Sequence, residues 1–354
     1  MFVFANDVMA QEIKVLIISG KEYGDKDFRQ LPNYENYLVR GNRKYRFYWN
    51  SIDGDPDIVV VRNKYVKQKL TFNIAPENTI LMLSEPLSVV SFSKRYCNQF
   101  GMLHSCQPQM SHRNIVYGPA LLPWFVGRNC AAAINYDTLT SQPLPQKTKL
   151  LSVITSNKAF TRGHQRRLDF VMKLKQHFGD KIDIYGRGFN TFDDKWDVLK
   201  DYKYHIAIEN CSTLYYWTEK LSDCFLAGCY PIYYGCKNVG DYFPEKSLAT
   251  IDIANPDEAI AQIEAILKAD EYENKVPYIN ESKQLVLNKY NMFNLIADCC
   301  DTLDLSKPRQ KVVLKPASSW IDLRKIYQHL VERNVLNFIN FFNTTIQTST
   351  AESL

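Results

Sequence analysis

The sequence predicts an α/β protein with two doubly wound domains that face each other across a cleft. Strand-length apolar runs alternate with polar or helical stretches along most of the chain, as in open parallel sheets with helices on their faces. A polar stretch with two prolines, residues 141–148, separates two such series and is predicted to be the linker. The length of 354 residues also fits two domains, at roughly 150 residues each.

The composition excludes several other classes of protein. Hydrophobic residues make up 45% and charged residues 23% of the chain, which is ordinary globular usage rather than that of a disordered or fibrous protein. The longest apolar runs, such as 15–18 and 58–61, are too short to cross a bilayer. A net charge of +5 is too small to indicate a nucleic-acid partner.

The nine cysteines show neither a Cys-x-x-Cys pair nor the Cys/His spacing of a zinc site. Residues 1–11 lack the basic start and long apolar core of a signal peptide. Reduced thiols, most of them acting as small buried apolar residues in a cytoplasmic protein, are therefore the simplest interpretation.

The first domain is predicted over residues 1–146. Near-continuous apolar runs, typical of parallel strands buried on both faces, predict strands at 13–19, 57–62, 79–83 and, more weakly, 115–117. Glu85 follows the third of these strands, at the carboxyl end where such sheets bind ligands. A carboxylate at that position facing a cleft suits a general base; a surface acid that ends a strand is the alternative.

The second domain is predicted over residues 147–310. Its strands are expected at 149–155, 181–185, 204–209 and 230–234, and its helices at 163–177, at 218–228 and from Pro256 onwards. A tail, 311–354, would carry one or two amphipathic helices over about 320–345. We expect these helices to pack across the domains; contact with an anionic membrane surface is the alternative.

A basic cluster follows the first strand of the second domain. Residues 147–175 include eight basic side chains and one acid. Arg167 falls in the first turns of the predicted helix, and a guanidinium binds phosphate oxygens in a forked geometry. A solvated basic face is the alternative.

The densest pattern lies at residues 204–235, YHIAIENCSTLYYWTEKLSDCFLAGCYPIYYG. A predicted strand ends at Glu209, and Thr218 can cap the next helix, which puts Glu219 and Lys220 in its first turn. A helix N-terminus presents free N–H groups and partial positive charge, and a lysine adds a full charge. The segment therefore favours a phosphate or diphosphate; an ordinary capped helix is the alternative.

This segment resembles the signature of the α1,3-fucosyltransferases, glycosyltransferase family 10. The matching elements are Glu209-Asn210, Tyr216, Thr218-Glu219-Lys220, Asp223, Ala227-Gly228 and Pro231-Ile232-Tyr233-Tyr234-Gly235. Residues 156–157, 163–167 and 184–187 resemble bacterial members. Ser84-Glu85-Pro86 resembles the family's Glu-Ser-Pro region with the order altered, and no resemblance extends beyond residue 300.

The resemblance implies a GT-B fold of two Rossmann-like domains and inverting transfer from a GDP-sugar, usually GDP-fucose, to a glycan acceptor. Arg167 and Lys220 would neutralise the diphosphate, Glu219 would contact the donor sugar or ribose, and Glu85 would be the base. Because the arginine stretch does not match the family without gaps, Arg162 or Arg166 is an alternative to Arg167. The expected catalytic residues are thus Glu85 and Glu219, and the expected donor-binding residues are Arg167, Lys220, Asn210, Tyr216, Arg187, Glu209 and Thr218.

With arginine and lysine stabilising the leaving group, the reaction would require neither a metal nor a cofactor. Asp193-Asp194 is interpreted as a loop pair, since its spacing is wrong for a metal site and no third ligand is apparent. Another nucleotide-sugar donor is one alternative, and an inactive relative that binds a nucleotide sugar or glycan is another.

The intact Glu219, Lys220 and Arg167 favour the enzyme. The habits of the family suggest synthesis of bacterial surface polysaccharide or lipopolysaccharide, in the cytoplasm or at the inner face of the membrane. The sequence carries no motif for the acceptor.

Overall fold

The structure, a computed structural model, describes residues 10–131, 133–157 and 161–320. The strands in these residues are β1 (Gln11–Ile18), β2 (Tyr37–Arg40), β3 (Arg43–Trp49), β4 (Ile58–Arg62), β5 (Leu70–Ile74), β6 (Thr79–Leu83), β7 (Met102–Ser105), β8 (Ile115–Tyr117), β9 (Lys149–Ile154), β10 (Asp183–Tyr185), β11 (Tyr202–Ile208), β12 (Tyr230–Tyr234), β13 (Ala249–Thr250) and β14 (Gln310–Leu314).

The α-helices in the same residues are α1 (Lys94–Cys97), α2 (Tyr136–Ser141), α3 (Arg162–Phe178), α4 (Lys195–Leu199), α5 (Glu219–Leu226), α6 (Pro256–Ala269), α7 (Tyr272–Asn288) and α8 (Met292–Asp301). None of these described helices is long and apolar enough to span a membrane. The predicted tail helices lie outside the described residues.

The first sheet has seven strands in the order β2-β3-β1-β4-β6-β7-β8. All neighbouring strands are parallel except the β2–β3 pair. β4 and β6 are buried at every position, as expected for strands covered on both faces. The carboxyl ends of β1, β4 and β6 therefore meet at one edge, and Glu85 follows β6 at that edge.

The second sheet has five parallel strands in the order β10-β9-β11-β12-β13. The predicted strands and helices of this domain are confirmed to within a few residues at each end. α3 and α5 bury apolar side chains in the same core as this sheet. These two sheets, the first mainly and the second wholly parallel, form the predicted GT-B architecture of two Rossmann-like domains.

The end of the described chain returns to the first domain. The apolar face of α8 is buried in the core of the first sheet, where Phe293 lies 5.0 Å from Phe47 between ring centroids. β14 pairs antiparallel with β5. The sequence predicts that residues up to 310 belong to the second domain, whereas α8 covers the first sheet. The pattern could not show this, because an apolar helix face does not specify which of two sheets it covers.

Candidate active site

A cavity of about 240 Å³ lies at the carboxyl edge of the second sheet. Its walls include Thr155 after β9, Arg187 after β10 and Ile208 at the end of β11. The start of α5 adds Glu219 and Lys220. This is the edge at which open parallel sheets bind ligands, because strand ends and helix N-termini meet there.

The start of α5 is fixed by a buried carboxylate beneath it. Thr218 caps the helix, and its hydroxyl accepts the Lys220 N–H at 3.3 Å. Glu209, which is 1% exposed, accepts the Thr218 N–H and hydroxyl, both at 2.8 Å. The Lys220 Nζ lies 3.2 Å from Glu209 Oε2. Glu209 and Thr218 thus hold Lys220 in place from outside the cavity wall.

Two lysines keep the Glu219 carboxylate ionised. Its Oε1 lies 3.3 Å from Lys220 Nζ and 3.8 Å from Lys195 Nζ. Burial raises the pKa of Glu219, but the charges of Lys220 and Lys195 outweigh burial and hold this pKa below its usual range. Burial lowers the pKa of Lys220, and the charges of Glu209 and Glu219 more than reverse that effect.

Arg167 is the arginine of α3 that faces the cavity. It is buried, its NH1 donates to Asn210 Oδ1 at 2.7 Å, and its NH2 lies 3.4 Å from the Ser156 hydroxyl. Arg162 and Arg166 are exposed and do not line this cavity. Asn210 also stays out of the wall and reaches the site through Arg167.

Two buried polar atoms of the wall have no hydrogen-bond partner within the described residues. They are Arg167 Nε and Thr155 Oγ1. Leaving a buried donor or acceptor unpaired costs roughly 1–3 kcal/mol. Such atoms are therefore typical of a site whose partners arrive with a polar ligand.

Glu85 lies on the first domain, opposite the start of α5. Its backbone carbonyl accepts the Gln107 side-chain amide at 2.7 Å. Burial raises the pKa of the Glu85 carboxyl, Lys220 lowers it, and Glu219 and Glu209 raise it further. The charges of Lys220, Glu219 and Glu209 thus act on Glu85 across the cleft, although Glu85 is not in the wall of the 240 Å³ cavity.

Tyr216 does not line this cavity, in contrast to the expectation. It is 1% exposed and packs with Cys106 and Ala120 of the first domain. An aromatic side chain between the domains buries a large apolar area, so Tyr216 holds the loop after β11 against the first domain.

Sequence reasoning missed Lys195. It is the first residue of α4, it lies in the cavity wall, and its Nζ is 2.8 Å from Asp223 Oδ2. The one local signal is Asp194 before it, which caps α4 by accepting the Trp196 N–H at 2.8 Å. Within the described ranges no group of three or more His, Cys, Asp or Glu side chains is arranged to hold a metal ion.

Comparison with known proteins shows the family. Residues 144–320, half of the chain, match the model of glycosyltransferase family 10 (fucosyltransferase), C-terminal part. The chain belongs to glycosyltransferase family 10. The matched region contains every residue of the cavity wall described above.

Individual relatives match over part of their length. The α-(1,3)-fucosyltransferase FucT of Helicobacter pylori is 36% identical over 77 residues, which are 22% of this chain and 16% of that protein. The α-(1,3)-fucosyltransferase B of Drosophila melanogaster is 29% identical over 143 residues, 35% of this chain and 30% of that protein. The chain spans less than a third of the length of the curated relatives it matches.

A crystal structure of an α1,3-fucosyltransferase with GDP aligns with 82% of this chain and 93% of its own. The sequence identity of the two is 16% and the TM-score is 0.48.

Proposed function

We propose that this protein is an inverting glycosyltransferase that moves fucose from GDP-fucose to a hydroxyl group of a glycan acceptor. The cavity at the edge of the second sheet carries the proposal, because Arg167, Arg187 and Lys220 surround it with positive charge. An ionised carboxylate, Glu219, stands beside them and can accept hydrogen bonds from sugar hydroxyls. Family membership supports this reaction class.

The proposed roles follow from the chemistry of inverting transfer. The acceptor oxygen attacks the anomeric carbon on the face opposite the diphosphate, and the carbon–oxygen bond to the diphosphate breaks. The bonding electron pair leaves with GDP, where Arg167 and Lys220 stabilise the developing negative charge. The proton of the acceptor hydroxyl passes to Glu85, whose raised pKa strengthens it as a base.

The other expected residues act on these groups in our proposal. Asn210 orients Arg167, while Glu209 and Thr218 orient Lys220. Arg187, exposed at the rim, contacts the phosphate end of the donor, and Tyr216 anchors the loop that follows β11. Because arginine and lysine neutralise the diphosphate, we propose that the reaction requires no metal.

Thermal unfolding with GDP, GDP-fucose, GDP-mannose, UDP-galactose and UDP-N-acetylglucosamine, each with and without EDTA, tests the donor. Ligand at 100 times its Kd adds about 2.7 kcal/mol of stability, which raises the Tm of a chain this long by about 2–5 °C. We expect this rise with GDP and GDP-fucose, unchanged by EDTA. A rise confined to uridine nucleotides would overturn the donor, and no rise would favour an inactive relative.

A pair of adjacent arginines provides the matched control. Arg167→Gln removes a charge-assisted contact to the diphosphate and should weaken GDP binding by about 10- to 100-fold in calorimetry. Arg166→Gln removes an exposed charge on the same helix and should change the GDP affinity less than threefold. The Tm without ligand checks that both variants are folded. Equal affinities would remove Arg167 from the site.

We also propose a cytoplasmic location, at or near the inner face of the membrane, and a role in bacterial surface polysaccharide or lipopolysaccharide synthesis. All nine cysteines are free, which supports a reducing compartment. Fractionation of cells that express the full chain, beside a deletion of residues 320–354, tests the location. Recovery in an extracellular fraction would contradict it.

A further inference from the structure

Both domains hold one short stretch of backbone, residues 124–129, which we call the interdomain segment. From the first domain, the fully buried Arg29 donates to the carbonyl oxygens of Trp124 at 2.5 Å and Val126 at 2.9 Å. From the second domain, Asp223 Oδ1 accepts the Val126 N–H at 3.2 Å. The segment is thus bonded through its carbonyls on one side and its N–H groups on the other.

The start of α4 belongs to the same arrangement. Asp194 accepts the N–H groups of Gly127 at 2.7 Å and Asn129 at 2.9 Å. Lys195, the next residue, binds Asp223 Oδ2 at 2.8 Å, the oxygen that the interdomain segment does not use. Two consecutive side chains therefore connect the start of α4 to the interdomain segment. Asp194 contacts the segment directly, and Lys195 contacts it through Asp223.

Lys195 also contacts the donor site, where it has no role in the proposed chemistry. Glu219 Oε1 lies 3.3 Å from Lys220 and 3.8 Å from Lys195. A diphosphate in the cavity attracts the Lys220 ammonium and thereby weakens its hold on Glu219. Lys195 is held by Asp223 and is 14% exposed, so it remains beside Glu219 when Lys220 is engaged.

We propose that Lys195 is a positioning residue that keeps Glu219 in place when the donor engages Lys220 and that transmits donor binding through Asp223 to the interdomain segment. Hydrogen bonds from the bound nucleotide to Glu219 restrict the motion of this side chain, and Lys195 and Asp223 pass the restriction to the backbone that joins the donor site to the domain carrying Glu85. This inference rests on the proposed function and deepens it, since it names how the donor site acts on the rest of the cleft.

Hydrogen exchange of the interdomain segment, with and without GDP, tests the proposal. Wild type is compared with Lys195→Gln, with the conservative Lys195→Arg, and with Lys203→Gln as a control that removes an exposed ion pair to Asp270. Calorimetry sets GDP to equal occupancy in each protein. We expect GDP to slow exchange in peptides covering 124–129 at least fivefold in wild type, Lys195→Arg and Lys203→Gln, and less than twofold in Lys195→Gln.

Asp223→Asn separates this role from a merely structural one. The variant keeps an oxygen that can accept the N–H groups of the segment but loses the charge that Lys195 binds. We expect its exchange without GDP to stay close to wild type and its response to GDP to be lost.

Two results would overturn the inference. In the first, GDP slows hydrogen exchange of the interdomain segment equally in Lys195→Gln and in wild type. In the second, GDP does not slow this exchange in wild type although calorimetry shows that it binds. A wild type that binds no GDP would instead remove the proposed function, and with it the inference that rests on it.

Discussion

Glu219 and Glu85 are carboxylates of one cleft whose surroundings move their pKa values in opposite directions. Lysine charges lower the pKa of Glu219, whereas burial raises that of Glu85. Two titratable groups whose pKa values are shifted in opposite directions typically take different acid–base roles in a site. Glu219 is thus suited to remain ionised and accept hydrogen bonds, and Glu85 to take up a proton.

Glu85→Gln should lower kcat by at least about 100-fold, because the loss of a general base typically costs 10²–10⁴. GDP affinity should stay within threefold of wild type, since Glu85 lies outside the cavity that holds the donor in our proposal. GDP release with a glycan acceptor gives kcat, and calorimetry gives the affinity. Glu77→Gln, an exposed acid of the same domain, is the control.

The pH dependence checks the same assignment. Activity should fall as pH drops through the pKa of Glu85, which burial places above the ordinary 4.5, because the protonated carboxyl cannot accept the acceptor's proton. The residual activity of Glu85→Gln should lose this acidic limb. If the variant still loses activity at low pH in the same way, the loss belongs to the titration of another group.

At the scale of elements, the proposed donor site depends on how closely α3 begins beside the loop after β11. A Cβ on Gly163 would lie 1.9 Å from the Asn210 carbonyl oxygen, so only glycine fits there. Thr161 caps the helix and accepts the His164 N–H at 3.3 Å. This close approach lets Arg167, about one turn later, bond Asn210.

Gly163→Ala should therefore weaken GDP binding by about tenfold or more and lower the Tm. Gly163 is the second residue of α3, and alanine is better than glycine by up to about 1 kcal/mol within a helix, so a loss would show that the backbone contact outweighs helix propensity. Calorimetry and thermal unfolding give the two values. Gly240→Ala, where a Cβ meets nothing within 4 Å, is the control. A more stable Gly163→Ala with wild-type affinity would contradict the close approach.

At the scale of the whole molecule, two successive helices pack on different domains. α7 contributes Ile279 and Leu287 to the core of the second sheet, and α8 covers the first. Asn291 between them donates to the Gln30 carbonyl of the first domain and to the Leu287 carbonyl of α7, both at 3.0 Å. The chain therefore connects the domains both near 142–148 and at this turn.

Phe293→Ala should destabilise the protein by about 3–5 kcal/mol in denaturant unfolding, since it removes a fully buried ring from α8. GDP affinity should change less than threefold, because the cavity belongs to the other sheet. Met172→Ala, at a side chain that is 51% exposed, should cost less than 1 kcal/mol. A loss below 1 kcal/mol for Phe293→Ala would show that α8 is not part of the first core.

The strands and site residues that the sequence predicts are those with a clear apolar run or a recognisable helix cap. β6 and β12 were predicted to the residue because each is an uninterrupted, nearly fully buried apolar run. β2 and β3 were missed, since β2 has only four residues and the basic residues Arg43, Lys44 and Arg46 hide the apolar alternation of β3. Glu219 and Lys220 were placed in the first turn of α5 because Thr218 is a recognisable cap.

The sequence by itself determined the parallel strands at the centre of both sheets, the capped start of α5 and the basic side chains after β9. These features are local, since apolar runs and caps act over a few neighbouring residues. Only the tertiary structure decided that Arg167 rather than Arg166 faces the cavity, that α8 covers the first sheet, and that Lys195 joins the site. Those outcomes depend on contacts between distant residues, such as Asp223 with Phe125, 98 positions apart, and no local pattern encodes them.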